Sequence, residues 1–306
     1  MMDETNVKTN SFRAWALAAR PKTLSGAAVP VMIGAALAWA DAGGHIAWGA
    51  AGLCLLFAMT MQVDANLVND YFDFRRGNDD AATRLGPPRA CSMGWVSARA
   101  MRRAIAIVTA VACVAGLPLA WMGGWPMVGV GVACVAFCFL YTTKLSYMGL
   151  GDALVIVFFG LVPVCLTYYL SLPPHERGVS AEVVVGAVAC GLVTDTLLIV
   201  NNYRDIDNDI RDGKLTLVAR IGPSAGRLLY LWVGVAAVAL GVAYVARGHA
   251  GGFALPIVSY LWLHIGAYRR LRGMERDHKL NELLGQTARN MIVYGMAVAA
   301  GVAISA

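Results

Sequence analysis

Two stretches of the chain place acids, amides and basic residues at helical spacing. The first reads Asn66-Leu67-Val68-Asn69-Asp70-Tyr71-Phe72-Asp73-Phe74-Arg75-Arg76-Gly77-Asn78-Asp79-Asp80 and is followed by Arg84-Leu85-Gly86-Pro87. The second reads Asn201-Asn202-Tyr203-Arg204-Asp205-Ile206-Asp207-Asn208-Asp209 and is followed by Arg220-Ile221-Gly222-Pro223. Residues four apart on a helix share a face, so Asn201, Asp205 and Asp209 form a column of oxygen ligands, and Asn69 with Asp73 a shorter one. Such columns suit Mg²⁺, which commonly binds through one or two carboxylates plus substrate phosphates. Two facing clusters can hold Mg²⁺ against a diphosphate, with Arg75, Arg76, Arg84, Arg89, Arg204, Arg211, Lys214 and Arg220 neutralising its oxygens. Eight of the nineteen acids fall in these regions (Asp70, Asp73, Asp79, Asp80, Asp205, Asp207, Asp209 and Asp212), a concentration that an ordinary solvated loop does not require.

The rest of the chain says what positions them. Of 306 residues, 58% are apolar and 14% charged, against about 25% charged in soluble domains. Apolar runs at 24–40, 46–69, 102–122, 126–143, 152–171, 180–203, 226–246, 253–268 and 289–305 can each cross about 30 Å of hydrocarbon as a helix. The reading is an all-α polytopic membrane protein of about nine spans, since lipid leaves backbone groups no other partner. Both motifs end a span, and four spans separate them, so they leave the membrane on the same side. Aligning Asn69 with Asn201 puts Asp73 on Asp205 and Gly77 on Asp209. The pattern is a parallel repeat within one domain, with a first copy at 24–143, a second at 152–268 and a final helix at 289–305.

The net charge of +6 is explained by placement rather than by a nucleic-acid partner. Twenty-three of the 25 Lys and Arg fall on the motif side and only Arg177 and Arg247 on the other, which the positive-inside rule reads as a cytoplasmic N-terminus and cytoplasmic motifs. No apolar stretch precedes a small-residue cleavage site, so the first span is expected to stay in the mature protein. Seven cysteines lie mostly inside spans without a C-x-x-C pair, and five scattered histidines make no zinc spacing, so both read as packing residues.

Asp64 and Asp195 lie five and six residues before Asn69 and Asn201, about 8 Å deeper. An acid within a span costs roughly 2.5–3.5 kcal/mol on insertion scales. These two are therefore expected to face the interior as substrate-binding residues, the competing reading being a neutral carboxyl hydrogen-bonded between helices.

The motifs resemble those of the UbiA superfamily of intramembrane aromatic prenyltransferases. Trp15 with Arg20-Pro21-Lys22-Thr23-Leu24, the Asn66–Tyr71 stretch, Gly149-Leu150-Gly151-Asp152, and Asn201–Asp205 running into Gly213-Lys214-Leu215-Thr216-Leu217 carry the likeness over nearly the whole chain. Within the superfamily the chain is most similar to the branch that prenylates 1,4-dihydroxy-2-naphthoate for menaquinone. The resemblance implies nine helices around a central cavity in a bacterial inner membrane, Mg²⁺, an isoprenyl diphosphate donor and an aromatic acceptor. It makes Asp73, Asp205 and Asp209 catalytic and, with Asn69 and Asn201, metal-binding. It implies substrate binding by Asn69, Asp70, Arg84, Arg89, Lys144, Asn201, Asn202, Arg204 and Lys214. Gly77 stands where many members have Asp, leaving Asp79 or Asp80 to substitute. A Tyr and Lys pair of the superfamily is represented by Tyr141, Lys144 and Tyr147 at altered spacing. Other acceptors, such as 4-hydroxybenzoate or a secondary-metabolite ring, stay open, as does a transporter, although transporter sites usually lie mid-membrane in inverted repeats.

Overall fold

The computed structural model describes residues 7–77 and 84–306, so Asp79 and Asp80 lie outside it. The described residues are all helix, turn and loop. Helices α1 (Phe12–Ala19), α2 (Ser25–Asp41), α3 (Trp48–Arg76), α4 (Ala98–Gly123), α5 (Trp125–Thr143), α6 (Gly151–Ser171), α7 (Ala181–Arg211), α8 (Leu217–Ala246), α9 (Ala250–Arg272) and α10 (Leu280–Ser305) follow in order. Among them eight are long and apolar enough to span a membrane, and α2 makes a ninth with the bent segment before it, which turns through 47°.

Local chemistry sets the boundaries. Ser97, Ser180 and Thr216 accept the N–H of Ala100, Val183 and Ala219 and so start α4, α7 and α8, each satisfying a donor that the first helical turn leaves without a partner. A π turn at Val157–Leu161 precedes Pro163 in α6, and another at Ile257–Leu261 follows Pro256 in α9. Proline offers no N–H, so the ladder loosens there without ending the span.

The helices are longer than the apolar runs at the ends that matter. α3 covers 29 residues and α7 covers 31, so each motif is the rigid continuation of a span rather than a loop. α10 also starts well before 289, since Leu280, Leu283 and Thr287 are buried although Glu282 and Arg289 dilute the local hydropathy.

Two packed clusters hold the motif ends. Leu67 and Val68 of α3 pack with Ala14 and Ala18 of α1, Met101 of α4, and Trp95 and Val96 from the loop after the first motif. Ile199, Tyr203 and Ile206 of α7 pack with Tyr230, Leu271, Leu280 and Leu283 of α8, α9 and α10. A larger cluster between them joins α2, α6, α7 and α10 through Ile33, Val164, Ala187, Met291 and Tyr294. α5 buries only Cys138 and Thr142, and Trp121 and Trp125 stand exposed beside its start, as suits a peripheral helix with interfacial aromatics.

Candidate active site

Neighbouring acids of the first motif have different jobs. Asp70 is 1% exposed, and its two carboxylate oxygens accept the N–H groups of Ala90 and Cys91, each at 2.8 Å, with Arg20 Nη2 at 3.9 Å. It therefore anchors the loop that carries Arg84 and Arg89, a different role from the substrate contact expected of it. Asp73 is freer: its side chain is 22% exposed and accepts from Arg89 Nη2 at 3.4 Å. Asn69 accepts the Thr142 hydroxyl of α5. Asn66 donates to the Ala19 carbonyl and the Thr23 hydroxyl, both at 2.9 Å. That contact fixes the joint between α1 and α2, where Arg20 adopts a left-handed conformation with φ 50°, unusual for a residue other than glycine.

In the second motif, Arg204 is the hub. Its side chain is 1% exposed and forks onto Asp205 at 2.8 and 2.6 Å, while Nη2 also reaches Asn201 at 2.7 Å and Nη1 reaches Asn281 of α10 at 2.6 Å. Asn281 in turn donates to the Leu85 carbonyl at 2.8 Å, and His278 lies 3.1 Å from the same oxygen. The first Arg-x-Gly-Pro loop is thereby laid over the second motif. Gly86 sits so close that a Cβ there would lie 2.7 Å from Arg204 Nη2. Arg204 is thus a clamp on two expected metal ligands and not a free partner for phosphate.

Lys214 joins the halves. Gly213, at φ 71°, turns the chain back after α7, so that Lys214 N donates to the Asp209 carbonyl at 2.7 Å and Nζ lies 3.5 Å from Asp209 Oδ1. Burial alone would lower the Lys214 ammonium, but Asp209, Tyr141, Asp73 and Asp205 hold it above its ordinary value. One cation therefore lies within the field of both motifs.

Other expected residues are placed differently. Lys144 is exposed at the end of α5, and Tyr141 points inward in its stead, within the electrostatic reach of Lys214 and Asp209. Arg76 donates to the carbonyls of Thr142 and Thr143 and lies 4.7 Å from the Tyr147 ring. Arg220 donates to the carbonyls of Leu215 and Met148 at 3.0 and 2.8 Å, and Arg211 pairs with Asp212 at 3.1 Å. Asn202 is buried on α7, and Arg84 donates to the Pro87 carbonyl at 2.8 Å while acting on Asp73. The deep acids part company. Asp64 turns toward α4 and accepts the Thr109 hydroxyl at 2.7 Å, the interhelical bond of the competing reading. Asp195 faces α6 and Asp152.

Among the described residues, no three His, Cys, Asp or Glu side chains converge as a ready metal cage. Arg204 occupies Asp205 and Lys214 leans on Asp209, because close carboxylates repel each other unless a cation separates them. The donor set nonetheless fits Mg²⁺ bound together with a phosphate ligand. Asp209 Oδ2 is buried and has no hydrogen-bond partner, and the ligands are carboxylates and amides.

The chain is similar to several known proteins over most of its length. A 1,4-dihydroxy-2-naphthoate octaprenyltransferase of Mycobacterium tuberculosis (strain ATCC 25618 / H37Rv) is 34% identical over 298 residues, covering 96% of this chain and 98% of that protein. The protein of the same description from Escherichia coli (strain K12) is 35% identical over 229 residues, 71% of each chain. Among solved structures, an apo UbiA homolog from Aeropyrum pernix K1 superposes with a TM-score of 0.70 at 19% identity, covering 91% of this chain and 98% of that one. A UbiA homolog from Archaeoglobus fulgidus bound to DMAPP and Mg²⁺ gives 0.60 at 15% identity, covering 94% and 99%. The UbiA prenyltransferase family pattern spans residues 27–288, both motifs included, and with the helical fold and the near full-length relatives it establishes that the chain belongs to that family.

Proposed function

We propose that the protein transfers a polyprenyl group from an isoprenyl diphosphate to 1,4-dihydroxy-2-naphthoate with loss of carbon dioxide, giving the hydroquinone form of a demethylmenaquinone. The observation that carries the reading is that the loop after the first motif lies over the second, Asn281 joining the Leu85 carbonyl to Arg204, with Lys214 Nζ 3.5 Å from Asp209 Oδ1. An anion entering between the motifs meets Lys214, Arg84, Arg89 and Arg20, while Asp73, Asp205 and Asp209 would hold Mg²⁺ with Asn69 and Asn201 assisting. When bound, Mg²⁺ would supply positive charge to the leaving diphosphate. The protein's own residues do the rest: Asp70 fixes the loop bearing Arg89, Arg204 fixes Asn201 and Asp205, and the apolar spans keep water from the allylic cation that forms as the carbon–oxygen bond breaks. The naphthoate acceptor is supported by relatives about one third identical over most or all of the chain.

The two motif helices belong, in this reading, to the two copies of a parallel repeat, with the N-terminus and the motif ends on the cytoplasmic side of a bacterial inner membrane. The distribution of Lys and Arg supports that sidedness. Purified protein should require Mg²⁺, and Asp73→Ala or Asp205→Ala should lower prenyl transfer at least 100-fold while the protein stays folded. Full activity of either variant, or undiminished activity in excess EDTA, would overturn the metal-clamp assignment.

A further inference from the structure

Below the motifs lies a second acidic site. α6 and α7 run antiparallel and almost in backbone contact: a Cβ on Gly191 would lie 2.8 Å from Ile156 Cα, and one on Gly160 would lie 2.5 Å from the Ala187 carbonyl. Four residues back along α6 from Ile156 and four forward along α7 from Gly191, the same register sets Asp152 against Asp195. The end of α6 keeps it, since a Cβ on Gly151 would lie 3.3 Å from Leu198 Cδ2 and 3.7 Å from the Tyr141 hydroxyl. Asp152 is 8% exposed and Asp195 3%. Neither oxygen of Asp152, nor Oδ1 of Asp195, has a hydrogen-bond partner in the protein. Two unpartnered carboxyl groups buried side by side repel each other as anions.

Position says what they serve. Asp195 precedes Asn201 by six residues, about 9 Å along the helix. That depth accommodates the first carbon of a prenyl chain whose diphosphate lies at the motifs, followed by an aromatic ring. Asp195, Asn202 and Asp209 follow one another at seven-residue steps, so they share a face of α7. Tyr141 is within electrostatic reach of Asp152 and Asp195 below and of Lys214 and Asp209 above. Asp64, the other deep acid, faces α4 instead, where its Oδ2 accepts the Thr109 hydroxyl while Oδ1 stays buried and unpartnered.

We propose that Asp152 and Asp195 form a carboxyl pair that binds the acceptor hydroxyl next to the prenylated carbon, takes its proton and then returns it. This rests on the naphthoate reading above. As the carbon–oxygen bond of the donor breaks, the ring carbon bearing the carboxylate forms the new carbon–carbon bond. The adjacent O–H bond supplies electrons to the ring, becomes a carbonyl, and passes its proton to the ionised member of the pair. The product of that step is a β-keto carboxylate. Its carbon–carboxylate bond breaks, carbon dioxide leaves, and the electron pair restores the aromatic ring as a phenolate, which takes the proton back from the pair. No net proton is consumed and no oxidant is needed.

The test compares the wild-type enzyme, Asp152→Asn, Asp195→Asn and the double variant in detergent, with geranylgeranyl diphosphate, Mg²⁺ and carboxyl-labelled naphthoate. Each single change should lower kcat about 100-fold, in line with general-base contributions, while the KM for the diphosphate stays within twofold. The double variant should be no slower than the worse single one, because the two groups act as a unit. Apparent melting temperatures should stay level or rise, since each change relieves an unpartnered buried acid. Unchanged kcat in both single variants, losses that multiply in the double, or a parallel fall in melting temperature would overturn the pair. If Asp195→Asn does not fold, Asp195→Ser carries the same test. Failure of the wild-type enzyme to release labelled carbon dioxide would instead overturn the naphthoate reading.

Discussion

Replacing Asp70 by Asn should unfold the loop anchor while leaving the expected metal ligands in place. The carboxylate accepts two backbone N–H groups at 2.8 Å, whereas an amide can accept one and must turn its NH₂ toward the other. A charge-assisted hydrogen bond contributes about 1.5–3 kcal/mol, and a buried N–H left unpaired costs about 1–3 kcal/mol. The 3.9 Å pairing with Arg20, whose side chain is 25% exposed, adds well under 1 kcal/mol. The sum is about 3 kcal/mol, which at this chain length corresponds to a fall of roughly 5–8 °C in apparent melting temperature. Thermal scans read by size-exclusion chromatography in detergent measure it. Asp73→Asn, three residues further on, should keep the melting temperature within about 2 °C and lower turnover at least 100-fold, an enzymatic effect of the size seen when a transition-state charge partner is removed. An Asp70→Asn protein as stable as wild type yet as inactive as Asp73→Asn would refute the division of labour, because Asp70 would then be acting on substrate.

Gly86→Ala brings a methyl group to 2.7 Å from Arg204 Nη2, and Arg204 cannot yield without releasing Asp205, Asn201 and Asn281. The loop must lift instead and lose the contacts to the Leu85 carbonyl, so kcat/KM should fall roughly 10- to 30-fold, for about 2 kcal/mol of hydrogen bonding lost. Gly129→Ala, which meets open space, is the control and should change nothing; equal kinetics for both variants would remove Arg204 from the site. Asp64→Asn retains an acceptor for Thr109, so acceptor and donor constants should both stay within about twofold of wild type, measured in the same steady-state assay. A selective rise in the acceptor KM would return Asp64 to the substrate site.

The sequence carried the helical class, the number of spans and the two motifs, because apolar length and four-residue spacing are local properties. It also carried Lys214, through the run after the second motif. What stayed hidden depends on pairing between distant elements. Nothing local to Asp70 distinguishes it from Asp73; only the loop at Ala90 and Cys91 does. Asn281 was invisible because the polar first turns of α10 masked its start, and with it the tie between Leu85 and Arg204. Nothing in the sequence beyond Pro21 marks Arg20 as a fixed joint, which its left-handed backbone makes it. The two deep acids look equivalent in sequence, yet one turns to the Thr109 hydroxyl of α4 and the close approach of α6 to α7 at Gly191 and Gly160 sets the other against Asp152.

The acceptor chemistry is open to a stoichiometric test. Membranes containing the protein, given a long-chain isoprenyl diphosphate, Mg²⁺ and carboxyl-labelled 1,4-dihydroxy-2-naphthoate, should release one labelled carbon dioxide for each prenylated product formed. Prenylation of 4-hydroxybenzoate with the naphthoate label left intact would contradict it.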